Sequence, residues 1–291
     1  MNNHAMERAE VLIEALPYIQ KFRDDLVVIK FGGSAMEDPE LTRRTMRDIV
    51  LLEATGMKPV VVHGGGKAIT ARLKELNIET KFINGLRVTS EEVISVVDDV
   101  LHNNTNRLLV NGILEAGGKG CQISGKRMLR AKRLTSRDRE SGKELDIGFV
   151  GEVIAVDVNP ILDALKYGFI PVIAPLATDF YGQVYNINAD MAACDIARSL
   201  KARKLVFLSD VPGILRDPGD EKSLISSIRT SEVDKLIAEG VLSGGMLPKI
   251  RSSVAALEAG TREVQMIDGR VPHAILIEML TNEGIGTMFT R

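Results

Sequence analysis

Short apolar runs alternate with stretches of helical spacing along most of the chain. The apolar runs predict strands at 26–30, 59–63, 170–174, 204–209 and 263–267. Apolar residues three and four positions apart predict helices at 39–56, 67–76, 90–116, 159–167, 189–201, 231–239, 249–260 and 273–281. Because strands that are apolar throughout are buried on both faces, the alternation predicts an α/β fold with a mostly parallel sheet covered by helices on both sides.

The N-terminal segment lies outside this alternation. Residues 5–23 have helical spacing, and Pro17 is expected to kink the helix because proline lacks a backbone donor and clashes with the preceding turn. The apolar side of this helix comprises Val11, Leu12, Ala15, Leu16 and Ile19. That side must be buried either on the body of the chain or on another subunit.

The interval 121–157 also differs from its surroundings. Residues 127–134 and 147–158 are predicted to be exposed hairpin strands around a polar loop at 134–146. A loose division near residue 180 separates two halves, which are expected to share one sheet.

Composition narrows the function classes. Hydrophobic residues make up 45% of the 291 positions and the net charge is −2, so bulk electrostatics do not favour nucleic acid. Cys121 and Cys194 are too few and too far apart for a disulfide framework or a cysteine zinc site. Since no signal-like segment or long apolar run occurs, we expect a cytoplasmic protein that binds neither nucleic acid nor membranes.

Two glycine-rich turns follow predicted strands in the first half. Gly32 and Gly33 come after Lys30, and Gly64–Gly66 follow the second strand. In open parallel sheets ligands bind beyond the carboxyl ends of the strands, and backbone amides at a helix N-terminus favour an anion. A tight turn without a ligand is the alternative for each cluster alone, but two clusters at equivalent strand ends weaken it.

The second half contributes polar residues at strand and helix ends. Asp190 opens a helix, and either Asn188 or Asp190 is suited to cap it. Asp210 follows a buried strand, a place suited to the ribose or phosphates of a nucleotide. Lys249 lies near the start of a later helix and, taken alone, is interpreted as a surface lysine.

These residues together suit phosphoryl transfer, in which catalysis is mainly positioning and electrostatic stabilisation. Lys30 and Lys249 would come from opposite halves, and Asp190 would orient both rather than act as a base. An acceptor carboxylate is already ionised at neutral pH and needs no general base. Arg87 could grip a substrate carboxylate or lie on the surface. His63, beside the second glycine turn, is interpreted as either a site residue or a structural one.

An ordered series of motifs extends over nearly the whole chain. It runs VVIKFGGSAM, VVVHGGGKAI, NGLRVT, FVGEV, PVIAP, YNINAD, LSDVPGIL and GGMLPKI, and GIGTMF extends it to the C-terminal edge. On these motifs the chain resembles the amino acid kinase family and, within it, the arginine-sensitive, hexameric acetylglutamate kinases. The resemblance implies a three-layer α/β/α sandwich preceded by a kinked helix.

The resemblance also implies an activity. A phosphoryl group would pass from MgATP to the side-chain carboxylate of N-acetyl-L-glutamate, an early step of arginine biosynthesis. Residues 1–25 would be an oligomerisation helix, 26–180 an acceptor lobe and 181–291 an ATP lobe of one continuous domain. Magnesium would be held mainly by phosphates, without a protein ligand.

Carried onto matching positions, the resemblance implies roles for individual residues. Lys30 and Lys249 would stabilise the transition state, and Asp190 would organise them. Three further sets are implied: Gly65, Gly66, Arg87 and Asn186 for the acetylated amino acid; Gly32, Gly33, Asp210, Val211, Gly213, Leu215, Val241 and Ser243 for ATP; Tyr18, His273, Glu278 and Gly286 for arginine.

Partners and rival activities follow from the same resemblance. The N-terminal helices would interlace dimers into a trimer of dimers, and a nitrogen-regulatory signalling protein is a candidate partner. Two alternatives remain open, an acetylaminoadipate kinase of lysine biosynthesis and a non-catalytic arginine-sensing protein.

Overall fold

A computed structural model describes residues 3–137 and 141–291. The strands are β1 (Leu26–Phe31), β2 (Lys58–His63), β3 (Phe82–Ile83), β4 (Leu86–Arg87), β5 (Gly120–Ser124), β6 (Leu129–Arg137), β7 (Glu144–Val156), β8 (Ile170–Ala174), β9 (Leu176–Thr178), β10 (Val184–Asn186), β11 (Lys204–Ser209), β12 (Ser227–Arg229), β13 (Glu263–Asp268) and β14 (Gly286–Thr290). The helices are α1 (Asn3–Glu14), α2 (Leu16–Phe22), α3 (Pro39–Ala54), α4 (Gly66–Glu75), α5 (Glu91–Asp99), α6 (Arg107–Glu115), α7 (Asn159–Lys166), α8 (Ala189–Leu200), α9 (Val233–Ala238), α10 (Leu247–Glu258) and α11 (Ala274–Leu280).

One eight-stranded sheet forms the centre, in the order β12-β14-β13-β11-β1-β2-β8-β5. Its strands pair in parallel except for β13 and β14, which are antiparallel. β1 lies between β2 of the first half and β11 of the second, and Lys30 aligns with Val62 on one side and Phe207 on the other. The expectation that both halves share one sheet is confirmed.

Helices cover both faces of this sheet. On one face, Val28 and Leu205 pack in a core that includes residues of α8 and α10. On the other, Val27 and Val206 pack in a core that includes residues of α3, α6 and α11. The predicted α/β class, with a mostly parallel sheet covered by helices on both faces, is confirmed. Val27 and Val28 are neighbours in β1 but pack in opposite cores, which explains why the strand is apolar throughout.

The predicted strands are confirmed with shifts of at most one residue at an end. The predicted helix 90–116 is wrong as a single α-helix, because a π-helical segment, Val100–Asn106, separates α5 from α6. Its run of asparagine, threonine and histidine has low helix propensity, so tertiary contacts decide its geometry. The sequence patterns also missed β5, β12 and β14, which have mixed polarity or are short.

A second, four-stranded sheet contains the predicted hairpin. β6 pairs with β7, β7 with β10, β10 with β9, and β9 returns to β6, so the small sheet closes on itself. The prediction of exposed strands is wrong for one face, since Leu129 and Ile147 are buried in it. The loop predicted at 134–146 is shorter, because pairing continues to Arg137 and Glu144; residues 138–140 lie outside the described part of the chain.

The N-terminal helix is interrupted near Pro17, as predicted. α1 ends at Glu14, and Pro17 lies in the first turn of α2. Val11 and Leu12 are 64% and 72% exposed, so the apolar side of α1 is not covered by this chain. Phe22, at the end of α2, is buried in the core and fixes only that end. Among the helices of the described residues, none is long and apolar enough to cross a membrane.

Candidate active site

Two lysines from opposite halves meet one carboxylate at the carboxyl edge of the sheet. Asp190 Oδ1 lies 3.0 Å from Lys30 Nζ, and its Oδ2 lies 3.2 Å from Lys249 Nζ. All three side chains are partly buried, with 12 to 21% of their surface exposed. The interpretation of Lys249 as a surface lysine is wrong, because its charge faces Asp190 and the ring of Phe207, 5.4 Å away.

The two lysines govern the charge on Asp190. Burial alone would raise the pKa of Asp190, but the positive charges of Lys30 and Lys249 hold it below its ordinary value. The carboxylate is therefore ionised at neutral pH, and the cluster carries a net positive charge. Such a cluster suits an anionic ligand better than proton transfer.

Local structure explains how these three residues converge. Lys30 lies near the carboxyl end of the central strand, and Lys249 lies in the first turn of α10. Asn188 caps α8 by accepting hydrogen bonds from the backbone amides of Asp190 and Met191, at 2.9 and 3.2 Å. The capping role expected of Asn188 is confirmed, and it places Asp190 in the first turn of α8, where a negative charge is favoured.

The glycine turns lie against Lys30 and against each other. A Cβ at Gly32 would lie 2.9 Å from Lys30 Nζ, and one at Gly64 would lie 3.5 Å from the Cα of Gly32. Gly33 has a left-handed φ of +74°, and a Cβ there would collide with the carboxylate of Asp210. A side chain at Gly32 would displace the ammonium group of Lys30 and one at Gly33 would displace the carboxylate of Asp210, whereas the distance at Gly64 is an ordinary van der Waals contact.

Asp210 ties the first glycine turn to the second half of the chain. Its Oδ1 accepts hydrogen bonds from both the backbone amide and the hydroxyl of Ser34, each 2.8 Å long. The sequence pointed to Asp210 through its place at the end of β11, but not to this contact. A nearby signal existed in Ser34, the small polar residue directly after Gly33.

A cleft of about 200 Å³ opens beside the lysine–carboxylate cluster. Lys30, Asp190 and four residues predicted to hold the acceptor line it: Gly65, Gly66, Arg87 and Asn186. A second cleft of about 670 Å³ adjoins Lys30, Gly33 and the second glycine turn. The structure thus brings the predicted acceptor residues together at the site of the charge cluster.

Arg87 is buried rather than on the surface. Its guanidinium donates hydrogen bonds to Thr80 Oγ1, Thr70 Oγ1 and the carbonyl oxygen of Gly66, at 2.6, 2.7 and 2.8 Å. Burial lowers the pKa of Arg87 from its usual value, which is far above neutrality. These bonds hold a fixed positive charge in the cleft wall, while Asn186 is oriented by a 3.3 Å hydrogen bond to Thr89.

A match to a known protein family extends over most of the chain. The sequence model of the amino acid kinase family matches residues 25–268. The chain belongs to the amino acid kinase family. An acetylglutamate kinase of Akkermansia muciniphila is 47% identical over 287 residues, covering 98% of this chain and 96% of that protein. One of Archaeoglobus fulgidus is also 47% identical, with coverage of 97% and 99%.

Solved structures similar to this chain include an N-acetylglutamate synthase from Neisseria gonorrhoeae. Its complex with coenzyme A and N-acetylglutamate has a TM-score of 0.84 and 26% identity to this chain, of which 97% is covered. A complex of the same synthase with coenzyme A and L-arginine has a TM-score of 0.79 and 25% identity. This chain spans 63% and 65% of those two longer chains.

Six of the eight residues predicted for ATP lie after β11 and before α10: Asp210, Val211, Gly213, Leu215, Val241 and Ser243. Gly213 packs against Thr287, Leu215 forms a bridge with Leu224, and Val211 is exposed. Val241 packs against the core, whereas Ser243 is exposed and precedes the short 3₁₀ turn that leads into α10. Neither cleft described above is lined by these six residues, whereas Gly33 lines the second cleft. The assignment of all eight residues to ATP stays a prediction.

The residues predicted for arginine surround α11. Tyr18 and α11 line a cleft of about 790 Å³ between the N-terminal helices and the C-terminal region. His273 Nδ1 lies 2.7 Å from Oδ1 of Asp48 in α3, and Glu278 Oε1 accepts a 2.9 Å hydrogen bond from Nζ of the buried Lys204. Gly286 lies in β14 against the backbone of Met266. Asp48 and Lys204 are contacts that sequence patterns missed.

Within residues 3–137 and 141–291, no group of three or more His, Cys, Asp or Glu side chains could hold a metal ion. That magnesium is held mainly by phosphates stays a prediction.

His63 lies directly behind the second glycine turn. It is fully buried, its Nδ1 lies 2.7 Å from the carbonyl oxygen of Gly64, and its Nε2 lies 3.1 Å from Asn106 Nδ2. Burial lowers the pKa of His63 to about 4. Of the two interpretations of His63, the structure favours the structural one, and Asn106 is a partner that sequence patterns missed.

The lowered pKa of His63 predicts a pH dependence of stability. The unfolded chain takes up a proton at His63 near pH 6.5 and the folded chain only near pH 4, so stability falls as the pH decreases between these values. From pH 7 to pH 5, the free energy of unfolding of the wild type should fall by about 2 kcal/mol more than that of a His63→Asn variant. Urea denaturation at pH 7, 6 and 5 measures this difference.

The control for this measurement is Tyr181→Phe, a change at a side chain that is 97% exposed. It should keep the pH dependence of the wild type. Parallel stability curves for the wild type and His63→Asn would contradict a neutral, buried His63.

Proposed function

We propose that this chain transfers the γ-phosphoryl group of ATP to the side-chain carboxylate of N-acetyl-L-glutamate, an early step of arginine biosynthesis. Relatives that are 47% identical over nearly the whole chain are named acetylglutamate kinase. The observation that carries the proposal is the contact of Asp190 with Lys30 and Lys249 beside the acceptor cleft.

The charge cluster suits the transition state of this reaction. Negative charge spreads over the oxygens of the transferring phosphoryl group, and preorganised positive groups stabilise it. Lys30 and Lys249 would supply that charge from opposite sides, while Asp190 keeps both ammonium groups in place. Since no proton must be removed from an ionised carboxylate, the reaction needs no general base, and Asp190 can serve to hold the two lysines alone.

The cleft wall suits an acetylated acidic amino acid. Arg87 presents a buried guanidinium that could pair with a carboxylate, and Asn186 can donate to or accept from an acetamido group. Gly65 and Gly66 would let the backbone approach the substrate at the start of α4. ATP, with magnesium held by its phosphates, would lie on the side of Gly32, Gly33 and Asp210.

Domain roles follow as part of the same proposal. Residues 26–180 would bind the acceptor and residues 181–291 would bind ATP, within one sheet. Residues 1–25 would serve oligomerisation, since the apolar side of α1 is exposed on this chain. A homo-oligomer built as a trimer of dimers, a cytoplasmic location and a nitrogen-regulatory signalling partner remain predictions from the resemblance.

Arginine is proposed as a feedback inhibitor at α11. Glu278 supports this proposal because its Oε2 is buried and has no hydrogen-bond partner among the residues that the structure describes. A carboxylate oxygen of this kind could accept from a guanidinium. Tyr18 and His273 would add contacts from α2 and from the start of α11.

Substitution of the two lysines tests the reaction. Lys30→Ala and Lys249→Ala should each lower kcat by about 100- to 1,000-fold, because the lost charge acts on the transition state. The KM values should change far less. Trapping of the acyl phosphate with hydroxylamine measures turnover on N-acetylglutamate, acetylaminoadipate, glutamate and aspartate.

Lys235→Ala is the matched control, since its side chain is 77% exposed and lies away from the cluster. It should leave turnover unchanged. Near-normal turnover of either site variant would refute the two-lysine mechanism, and preference for acetylaminoadipate would favour the rival kinase. A wild type that binds arginine but turns over no acid would support the sensor hypothesis.

Removal of α1 tests oligomerisation. A variant lacking residues 1–15 should sediment as a smaller, active assembly, because the exposed apolar side of α1 is lost while the buried Phe22 is kept. Analytical ultracentrifugation measures the mass of both proteins. An unchanged mass in the truncated protein would show that α1 is not the assembly element.

Arginine titration tests regulation. Arginine should inhibit the intact enzyme, and His273→Asn should raise the half-inhibitory concentration by about tenfold, in line with the loss of one charge-assisted contact. His102→Asn, the same change away from α11, should not. Full activity of the intact enzyme at saturating arginine would remove the proposal.

A further inference from the structure

The π-helical segment Val100–Asn106 lies beneath the second glycine turn. A Cβ at Gly65 would collide with Leu101 and would lie 3.6 Å from Thr105 Oγ1. Asn106, the last residue of the segment, contacts His63, which in turn contacts the carbonyl oxygen of Gly64. Three residues of one seven-residue segment thus support the turn, directly or through His63.

The π geometry explains why these residues act together. In an α-helix, residues five positions apart point about 140° away from each other, at 3.6 residues per turn. The wider π-helix bonds residue i to residue i+5 and stacks them. Leu101 and Asn106 are such a pair, so the π segment can turn both toward the base of the glycine turn.

Hydrogen bonding determines which nitrogen of His63 carries the proton. The carbonyl oxygen of Gly64 can only accept, so Nδ1 must donate to it. Asn106 Nδ2 lies 2.8 Å from the carbonyl oxygen of Val172 and 3.1 Å from Nε2 of His63, and it donates one hydrogen to each. Nε2 is then an acceptor and carries no proton. His63 is thereby held as the neutral Nδ1–H tautomer.

This tautomer controls the direction of one backbone amide. The peptide unit between Gly64 and Gly65 is planar and trans, so its carbonyl oxygen and its N–H point in opposite directions. His63 is fully buried and draws the carbonyl oxygen inward. The N–H of Gly65 is consequently directed outward, on the side where Gly65 lines the acceptor cleft.

We propose that His63 and Asn106 are positioning residues of the acceptor site: they fix the Gly64–Gly65 peptide so that the Gly65 N–H is presented to the bound anion. The proposal rests on the proposed function, which supplies the anion as N-acetylglutamate or the phosphoryl group in transfer. Neither residue touches the substrate. Glycine alone would leave the peptide free to rotate, since it has no side chain to restrict φ and ψ.

The first experiment reads the tautomer in the intact wild-type protein. The four histidines are labelled with ¹⁵N in the rings, and the three others are assigned by replacing each with Asn. Long-range ¹⁵N–¹H correlation spectra from pH 5 to pH 8 should show a protonated Nδ1 and an unprotonated Nε2 at His63 throughout. An Nε2–H tautomer, or titration of His63 within this range, would overturn the proposal.

The second experiment compares side chains at position 63 that can and cannot donate a hydrogen bond to the carbonyl oxygen of Gly64. Asn can place its amide nitrogen where Nδ1 lies, whereas Leu cannot donate. His63→Leu should raise the KM for N-acetylglutamate and lower kcat, with a combined loss of about 100-fold in kcat/KM, as expected for a small displacement of a positioning group. His63→Asn should recover about tenfold of that loss, and the KM for ATP should change less than about twofold in both.

A matched pair on the π segment separates positioning from general stability. Asn106→Ala removes the donor to His63, while Asn103→Ala removes an exposed amide of the same segment that donates to Asp99. The kinetic loss should appear in Asn106→Ala and not in Asn103→Ala. Equal kinetics for all four variants and the wild type would overturn the proposal, as would equal losses for His63→Leu and His63→Asn at matched thermal stability.

Failure of the proposed function would look different. A wild type that turns over none of the acids would refute the activity, but the ring spectra of His63 would still test the geometry. A wild type that is active and whose His63 variants are equally active would refute the positioning role alone. If His63→Leu does not fold, the ring spectra and the Asn variants decide.

Discussion

The contact of one carboxylate with two ammonium groups is the interaction on which the site depends. Lys30 and Lys249 repel each other, and Asp190 offsets that repulsion while leaving the cluster positively charged. Its three members come from the central strand, the start of α8 and the start of α10. The cluster therefore exists only when the sheet and both helices are assembled, which couples the chemistry to the complete fold.

The central sheet constrains how such a site can move. β1 of the first half pairs directly with β11 of the second, and both halves share the cores on its two faces. Separating the halves as rigid bodies would break the hydrogen bonds between these strands and expose apolar surface. Changes at the cleft are thus more readily made by turns and helix ends, such as the turn held by Asp210 and Ser34.

Sequence patterns predicted the buried strands and the residues at their ends, because fully apolar runs followed by glycine or Asp have few other uses in an α/β protein. They could not predict contacts between distant residues. Lys249 looked like a surface lysine until α10 placed it beside Asp190, and the hydrogen bonds between Ser34 and Asp210 span 176 positions of sequence. The π segment was missed because its asparagines and threonine carry no periodic signal, and β5 because its polarity is mixed.

His63 shows why a division into structural and functional residues is too coarse here. Its burial makes it structural, and its pKa of about 4 keeps it neutral. Yet its donated hydrogen bond ends on the glycine turn that lines the cleft, and its accepted hydrogen bond comes from Asn106, the last residue of the π-helical segment. Glycine at positions 64 to 66 admits a ligand closely but has no conformational preference of its own. The rigidity that the turn lacks must come from buried neighbours, and a neutral histidine can supply it without adding charge beneath an anion site.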